Sequence, residues 1–348
     1  MKKQILQNKS KPLTVAAALG LLNEEDRIEE VVESLVNQTY PLSQIVLTND
    51  GSIDRTWEIL KRLAKKYPQL KIFNQVNHGP AQARNRSWRA VNKEIDIIAF
   101  TDGNCVPERN WVEEVIKPFQ DDTVGATGGA YKTLNPENIL ARFFGMEIAW
   151  KYSKISGDID AHGTYNLAIR RKILEEVGGF DERYKKPSGE DWDLTYKISR
   201  KHRIVFVPSA VVGTHHPTSI RKYLKTQVRR GYDRMMLYNE HPERGTQDNY
   251  TGKLVKYQIW MSGMLIPCLV FLYPFFPGSY LIPLAVFLFM LAVALIPFPY
   301  YISRDFAVAL FSIPIQLIRN YAWFWGMLKG MYRFGFINVV KGVLRSGL

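Results

Sequence analysis

Apolar segments typical of β-strands alternate with helical segments from residue 13 onward, and this alternation restricts the fold more than any other feature. The strand segments are LTVAAALGLL, SQIVLTND, LKIFNQV and IDIIAF, and the helical segments between them are DRIEEVVESLVNQ, DRTWEILKRLAKKY and PAQARNRSWRAV. The first two helical segments carry apolar residues at helical spacing, and the third opens with a proline. The repeat predicts an α/β fold with a mostly parallel sheet covered on both faces.

Polar residues follow each of the four predicted strands. The clusters are Asn23 to Glu25, Asn49 to Ser52, Asn77 to Gly79, and Asp102 to Asn104. Any one cluster alone is typical of a helix cap. Ligands of parallel sheets bind beyond the carboxyl ends of the strands, so four clusters at that edge indicate a binding site.

Composition limits the class of protein. The 348 residues suit one large domain with an appendage, or two domains, and 46 Lys and Arg against 33 Asp and Glu give a net charge of +13. That charge would suit nucleic acid, anionic lipid or a phosphorylated small molecule. Cys105 and Cys268 stand alone in segments of different polarity, which favours a reducing cytosolic setting over a disulfide framework.

The N-terminal apolar run superficially suggests a signal peptide. The run from Leu13 to Leu22 is short, lacks a small-residue cleavage site beyond it, and passes directly into an acidic cluster. We therefore interpret it as a buried strand.

The C-terminal third has a different character. The runs IWMSGMLIPCLVFLYPFF and YLIPLAVFLFMLAVALIPFPYY are separated by only Pro277, Gly278 and Ser279, and each approaches the length needed to cross a bilayer. They predict an antiparallel membrane hairpin; two buried helices of a soluble domain are the alternative. The segment 306–328 has polar residues near its middle and either crosses or lies in the interface. The basic residues after it favour a cytoplasmic tail, and an even number of crossings, with 306–328 in the interface, would keep the large N-terminal domain on the same side.

An ordered set of motifs resembles glycosyltransferase family 2, whose members have the GT-A fold. The motifs are NEED, NDGSIDRT, NHGPAQARNRSW, TDGN, GTYNLAIRR, GGFDE and GEDWDL, over roughly residues 12 to 235. The resemblance implies a nucleoside-diphosphate sugar donor and a divalent metal, Mn²⁺ or Mg²⁺, on its diphosphate. Asp102 would then be a metal ligand. Asn104 stands where the family pattern has a second aspartate, so His215 or His216 is a candidate further ligand, and either histidine could instead cap a strand.

The same resemblance assigns nucleotide contacts. Asp50 would accept a hydrogen bond from the base, and Glu24 and Glu25 would lie near the nucleotide. Arg84 would face the diphosphate or base, although a surface role is the alternative for any one arginine of ARNRSWR.

The segment SGEDWDL carries the predicted chemistry. Transfer to a hydroxyl requires a general base, and Asp191 matches the family's catalytic base, with Glu190 shaping the acceptor pocket. A phosphate acceptor is already ionised and would not need that base, so a hydroxyl acceptor is preferred. We expect Asp193 to cap or solvate the following helix.

A basic amphipathic segment, SIRKYLKTQVRRGYDRMML, follows the predicted catalytic domain and is typical of a helix on an anionic membrane. Part of it resembles the Gln-x-x-Arg-Trp motif of processive synthases, with Gly231 in place of tryptophan. Arg230 could still hold the diphosphate. Because the tryptophan is absent and the membrane segments are few, we expect transfer of a single sugar.

The sequence thus predicts four regions: a tail (1–11), a GT-A domain (12–218), a basic interfacial segment (219–256), and a membrane hairpin with a third apolar segment and a basic tail (257–348). The expected protein is a multi-pass membrane glycosyltransferase that acts at the cytoplasmic face on a lipid-linked or glycan acceptor. A processive polysaccharide synthase and a non-catalytic nucleotide-sugar-binding membrane subunit are the alternatives. The apolar C-terminal region argues against a nucleic-acid partner. The sequence leaves the oligomeric state open.

Overall fold

The computed structural model describes residues 12–155, 157–244, 253–267 and 281–335. The strands are β1 (Val15–Leu21), β2 (Gln44–Asp50), β3 (Leu70–Gln75), β4 (Ile97–Thr101), β5 (Cys105–Pro107), β6 (Val124–Thr133), β7 (Asn166–Arg170) and β8 (Arg203–Thr214). The helices are α1 (Ile28–Val36), α2 (Thr56–Lys66), α3 (Pro80–Arg89), α4 (Trp111–Ile116), α5 (Ile139–Tyr152), α6 (Arg171–Glu176), α7 (Glu190–Ser199), α8 (Ile220–Glu240), α9 (Lys253–Pro267), α10 (Leu281–Leu295), α11 (Phe298–Ile302) and α12 (Phe306–Phe334).

The strands form one mixed sheet in the order β3-β2-β1-β4-β7-β6-β8-β5. The four strands predicted from the sequence are parallel neighbours, as expected. The strand β7 is inserted antiparallel between β4 and β6, and β6 then pairs in parallel with β8. The strand repeat of the first hundred residues gives no sign of this insertion, because β7 is far away in the sequence.

The core lies on both faces of the sheet. Alternate residues of β1 point to opposite faces, so Ala17 packs with α1, α2 and α4, whereas Ala16 packs with α3, α6 and α7. Burial on both faces explains the nearly uninterrupted apolar sequences of the central strands.

The helices α8 and α12 pack closely against each other. A Cβ atom on Gly231 would lie 2.2 Å from the carbonyl oxygen of Trp323, and one on Gly326 would lie 1.9 Å from that of Val228. Glycine at 231 is therefore needed for backbone approach. The side of α8 that the sequence assigned to a lipid surface packs against α12 through Tyr223 and Met235.

The predicted membrane hairpin lies partly outside the described residues. The second apolar run forms α10 with only 15 residues, and residues 268–280 and 336–348 lie outside the described part. Across the described ranges, no helix is both long and apolar enough to span a bilayer. The helix α12 has 29 residues, but its polar Gln316, Arg319 and Asn320 are buried against the protein. The predicted membrane crossings are therefore not confirmed.

Candidate active site

A cavity of about 310 Å³ lies beyond the carboxyl end of β4. It contains most of the site residues predicted from the sequence: Asp102, Asn104, Glu190, Asp191, His215, His216, Arg84 and Arg230. The strands β4 and β8 bring Asp102 and the two histidines to one edge, and α7 begins there with Glu190 and Asp191. The sheet thus joins residues that are more than a hundred positions apart in the sequence.

Arg84 bridges two of the carboxylates in this cavity. Its Nη2 donates to Oδ1 of Asp102 and its Nη1 donates to Oε1 of Glu190, both at 2.7 Å. Both partners raise the pKa of the buried guanidinium, although burial opposes them. Arg84 therefore holds the strand-end aspartate against α7. Arg84 also lines the cavity, and its predicted contact with the diphosphate or base stays a prediction.

Glu190 is almost fully buried in the cavity wall. Its second oxygen accepts from the backbone N–H groups of Ser188 and Gly189 at 2.9 and 3.0 Å. The carboxylate thus fixes the start of α7 and orients Arg84. Its predicted role in shaping the acceptor pocket is indirect, through these contacts.

Asp191 lies in the cavity wall next to Glu190. Burial and the charge of Glu190 raise the pKa of Asp191 to about 7, although Arg84 lowers it. The backbone N–H of Trp192 donates to its Oδ1 at 2.9 Å. A carboxylate with a pKa near neutral is well matched to removing a proton from a hydroxyl at neutral pH.

Glu24 lies near Asp102 but is not among the residues that line the cavity, and its predicted place near the nucleotide stays a prediction. Burial and the neighbouring charge of Asp102 raise the pKa of Glu24 to about 7. A Cβ atom on Gly103 would lie 2.7 Å from Cγ of Glu24, so a larger residue at 103 would require the Glu24 side chain to shift.

Two other residues that were predicted to lie near the nucleotide, Glu25 and Asp50, accept hydrogen bonds from groups of the protein. Glu25 accepts from Nε of Arg55 at 2.9 Å and does not line the cavity. Asp50 is buried and accepts from the backbone N–H groups of His78 and Gly79 and from the amide of Gln75, at 2.8 to 2.9 Å. These bonds organise the loop before α3, and the predicted contact of Asp50 with a base stays a prediction.

The donor set in the cavity suits a divalent cation with few protein ligands. Asp102 and Asn104 offer oxygens, and the imidazole Nε2 of buried His216 has no hydrogen-bond partner among the described residues. Burial lowers the pKa of His216 to about 4, so the ring is neutral and able to ligate. No group of three His, Cys, Asp or Glu side chains arranged for a metal occurs in the described part of the chain. Such a cation would therefore depend on donor phosphates for the rest of its shell.

The C-terminal helices complete the cavity, which the sequence did not predict. Arg319 of α12 forms an ion pair with Glu147 of α5, and Trp323 donates its indole N–H to Oε1 of Gln227 at 2.7 Å. All four residues line the cavity together with Arg230. The polar residues Gln316, Arg319 and Asn320 within an apolar segment were the signal in the sequence that this helix packs against protein.

Asp193 differs from its predicted role as a cap or solvated residue. It is buried, and its carboxylate contacts Nε2 of His241 at 2.9 Å and Nζ of Lys197 at 2.6 Å. The contact with His241 ties the catalytic helix α7 to the end of α8.

Comparisons with known proteins agree with this architecture. The family described as "Glycosyl transferase family 2" matches residues 20–178, and "Glycosyltransferase like family 2" matches residues 136–238. The matched region is a family 2 glycosyltransferase domain. It includes the strand ends at Asp50 and Asp102, and the second match adds Asp191 and Arg230.

Two curated relatives are similar to part of the chain. The probable glycosyltransferase YdaM of Bacillus subtilis is 29% identical over an alignment of 234 residues, which covers 62% of this chain and 54% of the relative. The glycosyltransferase AglE of Haloferax volcanii is 25% identical over an alignment of 237 residues, which covers 64% of this chain and 74% of the relative. The chain therefore spans about half the length of the Bacillus relative.

One solved structure matches almost the whole chain. The mannosyltransferase PcManGT of Pyrobaculum calidifontis, in complex with GDP-Man and Mn²⁺, is 20% identical with a TM-score of 0.60. The match covers 93% of this chain and 88% of that chain, so the C-terminal helices belong to the shared fold.

Proposed function

We propose that the protein transfers one sugar from a nucleoside-diphosphate sugar to a hydroxyl of a lipid-linked or glycolipid acceptor, with inversion at the anomeric carbon. The observation that carries the proposal is Asp191, a cavity-lining carboxylate whose pKa is raised to about 7 next to the strand-end Asp102. A base of this strength supports a hydroxyl acceptor, since a phosphate acceptor needs no deprotonation.

Asp191 is the proposed general base. It takes the proton of the acceptor hydroxyl while the oxygen attacks the anomeric carbon and the diphosphate departs on the opposite side. Glu190 and Arg84 hold α7 in register with Asp102, so the base and the diphosphate end of the site keep a fixed separation. Arg230 is the proposed ligand of the diphosphate; it lines the cavity, and its guanidinium lies 5.7 Å from the centre of the Phe144 ring.

Asp102, Asn104 and one of the two histidines are the proposed holders of a divalent metal, Mn²⁺ or Mg²⁺. When bound, such a cation neutralises charge on the departing diphosphate. A histidine ligand favours Mn²⁺ over Mg²⁺. The Mn²⁺ in the fold-related Pyrobaculum structure agrees with this choice.

The lipid acceptor is supported by the outer surface of the C-terminal helices. Leu281, Ile282 and Leu288 of α10 and Leu310 and Trp325 of α12 are each more than half exposed. Exposed apolar residues on this scale are typical of contact with a membrane or another protein. We propose that this surface rests on the cytoplasmic face of the cell membrane, which would place the acceptor near the cavity.

A processive synthase is the second candidate within the same enzyme class. It is less well supported, because α12 packs against Gly231 at the position where processive synthases carry a tryptophan. A non-catalytic nucleotide-sugar-binding subunit is the third candidate, and the intact Asp191 argues against it.

The test is the release of nucleoside diphosphate by the detergent-purified protein across a panel of nucleotide sugars. The reactions contain Mn²⁺, Mg²⁺ or chelator, with a membrane-lipid extract as acceptor. We expect turnover with one donor that requires metal and lipid, and that Asp191→Asn abolishes while donor binding persists. Asp102→Ala should instead weaken metal-dependent donor binding. Equal loss of binding in both variants would contradict the assigned roles, and products of many added sugars would favour the processive alternative.

A further inference from the structure

A second cavity of about 530 Å³ lies on the other side of the wall that bounds the active site. Its lining is predominantly basic. The basic lining residues are Arg183, Lys185, Lys186, Arg229 and Arg333. Among the described residues, the acidic ones that line the same cavity are Asp233 and Glu240.

The loop before α7 and the helix α8 separate the two cavities. Lys185 and Lys186 of the loop line the second cavity, whereas Ser188 lines the active site. On α8, Arg229 lines the second cavity and its neighbour Arg230 lines the first. The two cavities are therefore adjacent, and a ligand that extends across the loop could occupy both.

A hydrogen bond between two side chains connects the loop and α8, which together separate the cavities. The hydroxyl of Ser188 donates to Oδ2 of Asp233, which joins the loop to α8. Ser188 is two residues from Glu190, and its backbone N–H donates to that carboxylate at 2.9 Å. A ligand in the second cavity would thus lie against the segment that fixes the start of the catalytic helix.

The second cavity carries excess positive charge. Glu240 accepts from Arg183 at 2.9 Å, so these two charges offset each other. Within the described ranges, Lys185, Lys186 and Arg333 form no salt bridge, and Nε of Arg229 is buried without a hydrogen-bond partner. Asp233 alone remains against these four cations. Such a cavity suits a ligand group that bears more than one negative charge.

An apolar edge lies next to these cations. The rings of Tyr232 and Phe334 are 5.2 Å apart, and both residues line the cavity with Met236. The neighbouring Tyr332 on α12 is almost fully exposed. A cationic cavity with an aromatic edge fits a phosphate group attached to a hydrocarbon chain better than it fits a free anion.

We propose that the second cavity binds the phosphate or diphosphate of the lipid-linked acceptor, while the acceptor sugar extends across Ser188 toward Asp191. This inference rests on the proposed function and deepens it, because it assigns the acceptor to the class of lipid phosphates that carry a sugar. The phosphate here anchors the acceptor. It takes no part in bond formation, so the hydroxyl remains the attacking group.

The experiment measures binding of farnesyl diphosphate, farnesol and inorganic pyrophosphate to the full-length detergent-purified protein by isothermal titration calorimetry. The test variant is Lys185→Gln/Lys186→Gln/Arg333→Gln. The matched control is Lys65→Gln/Lys93→Gln/Lys172→Gln, which removes the same number of exposed positive charges outside both cavities. Binding of UDP and GDP with Mn²⁺ reports separately on the donor site in every variant.

We expect farnesyl diphosphate to bind the unchanged protein and to bind the test variant at least about tenfold more weakly, because charge-assisted contacts with phosphate are lost. The control variant should match the unchanged protein, and added salt should weaken binding. Farnesol should bind poorly. Equal affinities for farnesol and farnesyl diphosphate, or equal affinities of the test and control variants, would overturn the proposal.

Two other outcomes identify a different source of the phosphate and would also overturn the assignment to an acceptor. One is pyrophosphate binding as tightly as farnesyl diphosphate. The other is binding to phosphatidylglycerol vesicles that falls in the test variant while farnesyl diphosphate does not bind. If no nucleotide sugar is turned over but farnesyl diphosphate shows the expected pattern, the proposed function fails and the phosphate site stands.

Discussion

Replacing Arg84 by glutamine tests whether the bridge between Asp102 and Glu190 organises the active site. Arg84 is 6% exposed and makes two hydrogen bonds of 2.7 Å to carboxylates. In the ion pair between Arg84 and Glu190 both side chains are buried. The Asp102 side chain is about one-third exposed, so solvent screens the ion pair between Arg84 and Asp102 more strongly. Removing one partner of a buried ion pair costs about 3–5 kcal/mol, and most of that cost should come from Glu190.

We therefore expect Arg84→Gln to lower the free energy of unfolding by about 3 kcal/mol, measured by urea denaturation at pH 7. The matched control is Arg86→Gln on the same helix, where the guanidinium is exposed and donates to Asn74 and Gln75. That control should cost less than about 1 kcal/mol, because exposed contacts contribute little. A loss in Arg84→Gln no larger than in Arg86→Gln would refute the role of the bridge.

A double-mutant cycle isolates the contribution of the buried ion pair between Arg84 and Glu190. In Arg84→Gln/Glu190→Gln neither side of this ion pair is left as an unpaired buried charge, so the double variant should be more stable than the sum of the single losses predicts by about 1–3 kcal/mol.

The pH dependence of kcat/KM gives a second test of the contacts of Arg84. Arg84 lowers and Glu190 raises the pKa of Asp191. The acidic limb of the kcat/KM profile should therefore move to higher pH in Arg84→Gln and to lower pH in Glu190→Gln.

Two further predictions concern burial and packing. The folded-state pKa of Glu24 is raised to about 7 from 4.5, so its contribution to stability falls as pH rises from about 4.5 through 7. Glu24→Gln should hence stabilise the protein by on the order of 3 kcal/mol at pH 8 and little at pH 4 in urea titrations; equal effects at both values would contradict this. Gly231→Ala should lower stability by about 1–3 kcal/mol, because its Cβ would meet the Trp323 carbonyl oxygen at 2.2 Å. Thermal unfolding measures this change, and an unchanged midpoint would show that α12 does not pack against α8 as described.

The sequence predicted the four parallel strands and their polar ends well because both signals are local. Burial on two faces requires continuous apolar strands, and the polar residues at their ends need no distant partner to be recognised. The motif resemblance then identified Asp102, Glu190, Asp191 and Arg230 as members of one site, and the structure brings all four into one cavity. Glu25 pairs with Arg55, a contact that leaves no pattern in the sequence, and its predicted place near the nucleotide stays a prediction.

The sequence by itself therefore determined the α/β class, the edge of the sheet that carries the site, and the residue types that the chemistry needs. Tertiary structure alone decided how these charges are partnered. Arg84 binds Asp102 and Glu190, and α12 turns Arg319 toward Glu147 and the active site. Hydrophobic periodicity indicates which face of a segment is buried. It does not indicate which other segment covers that face, so contacts between residues a hundred or more positions apart are seen only in the folded structure.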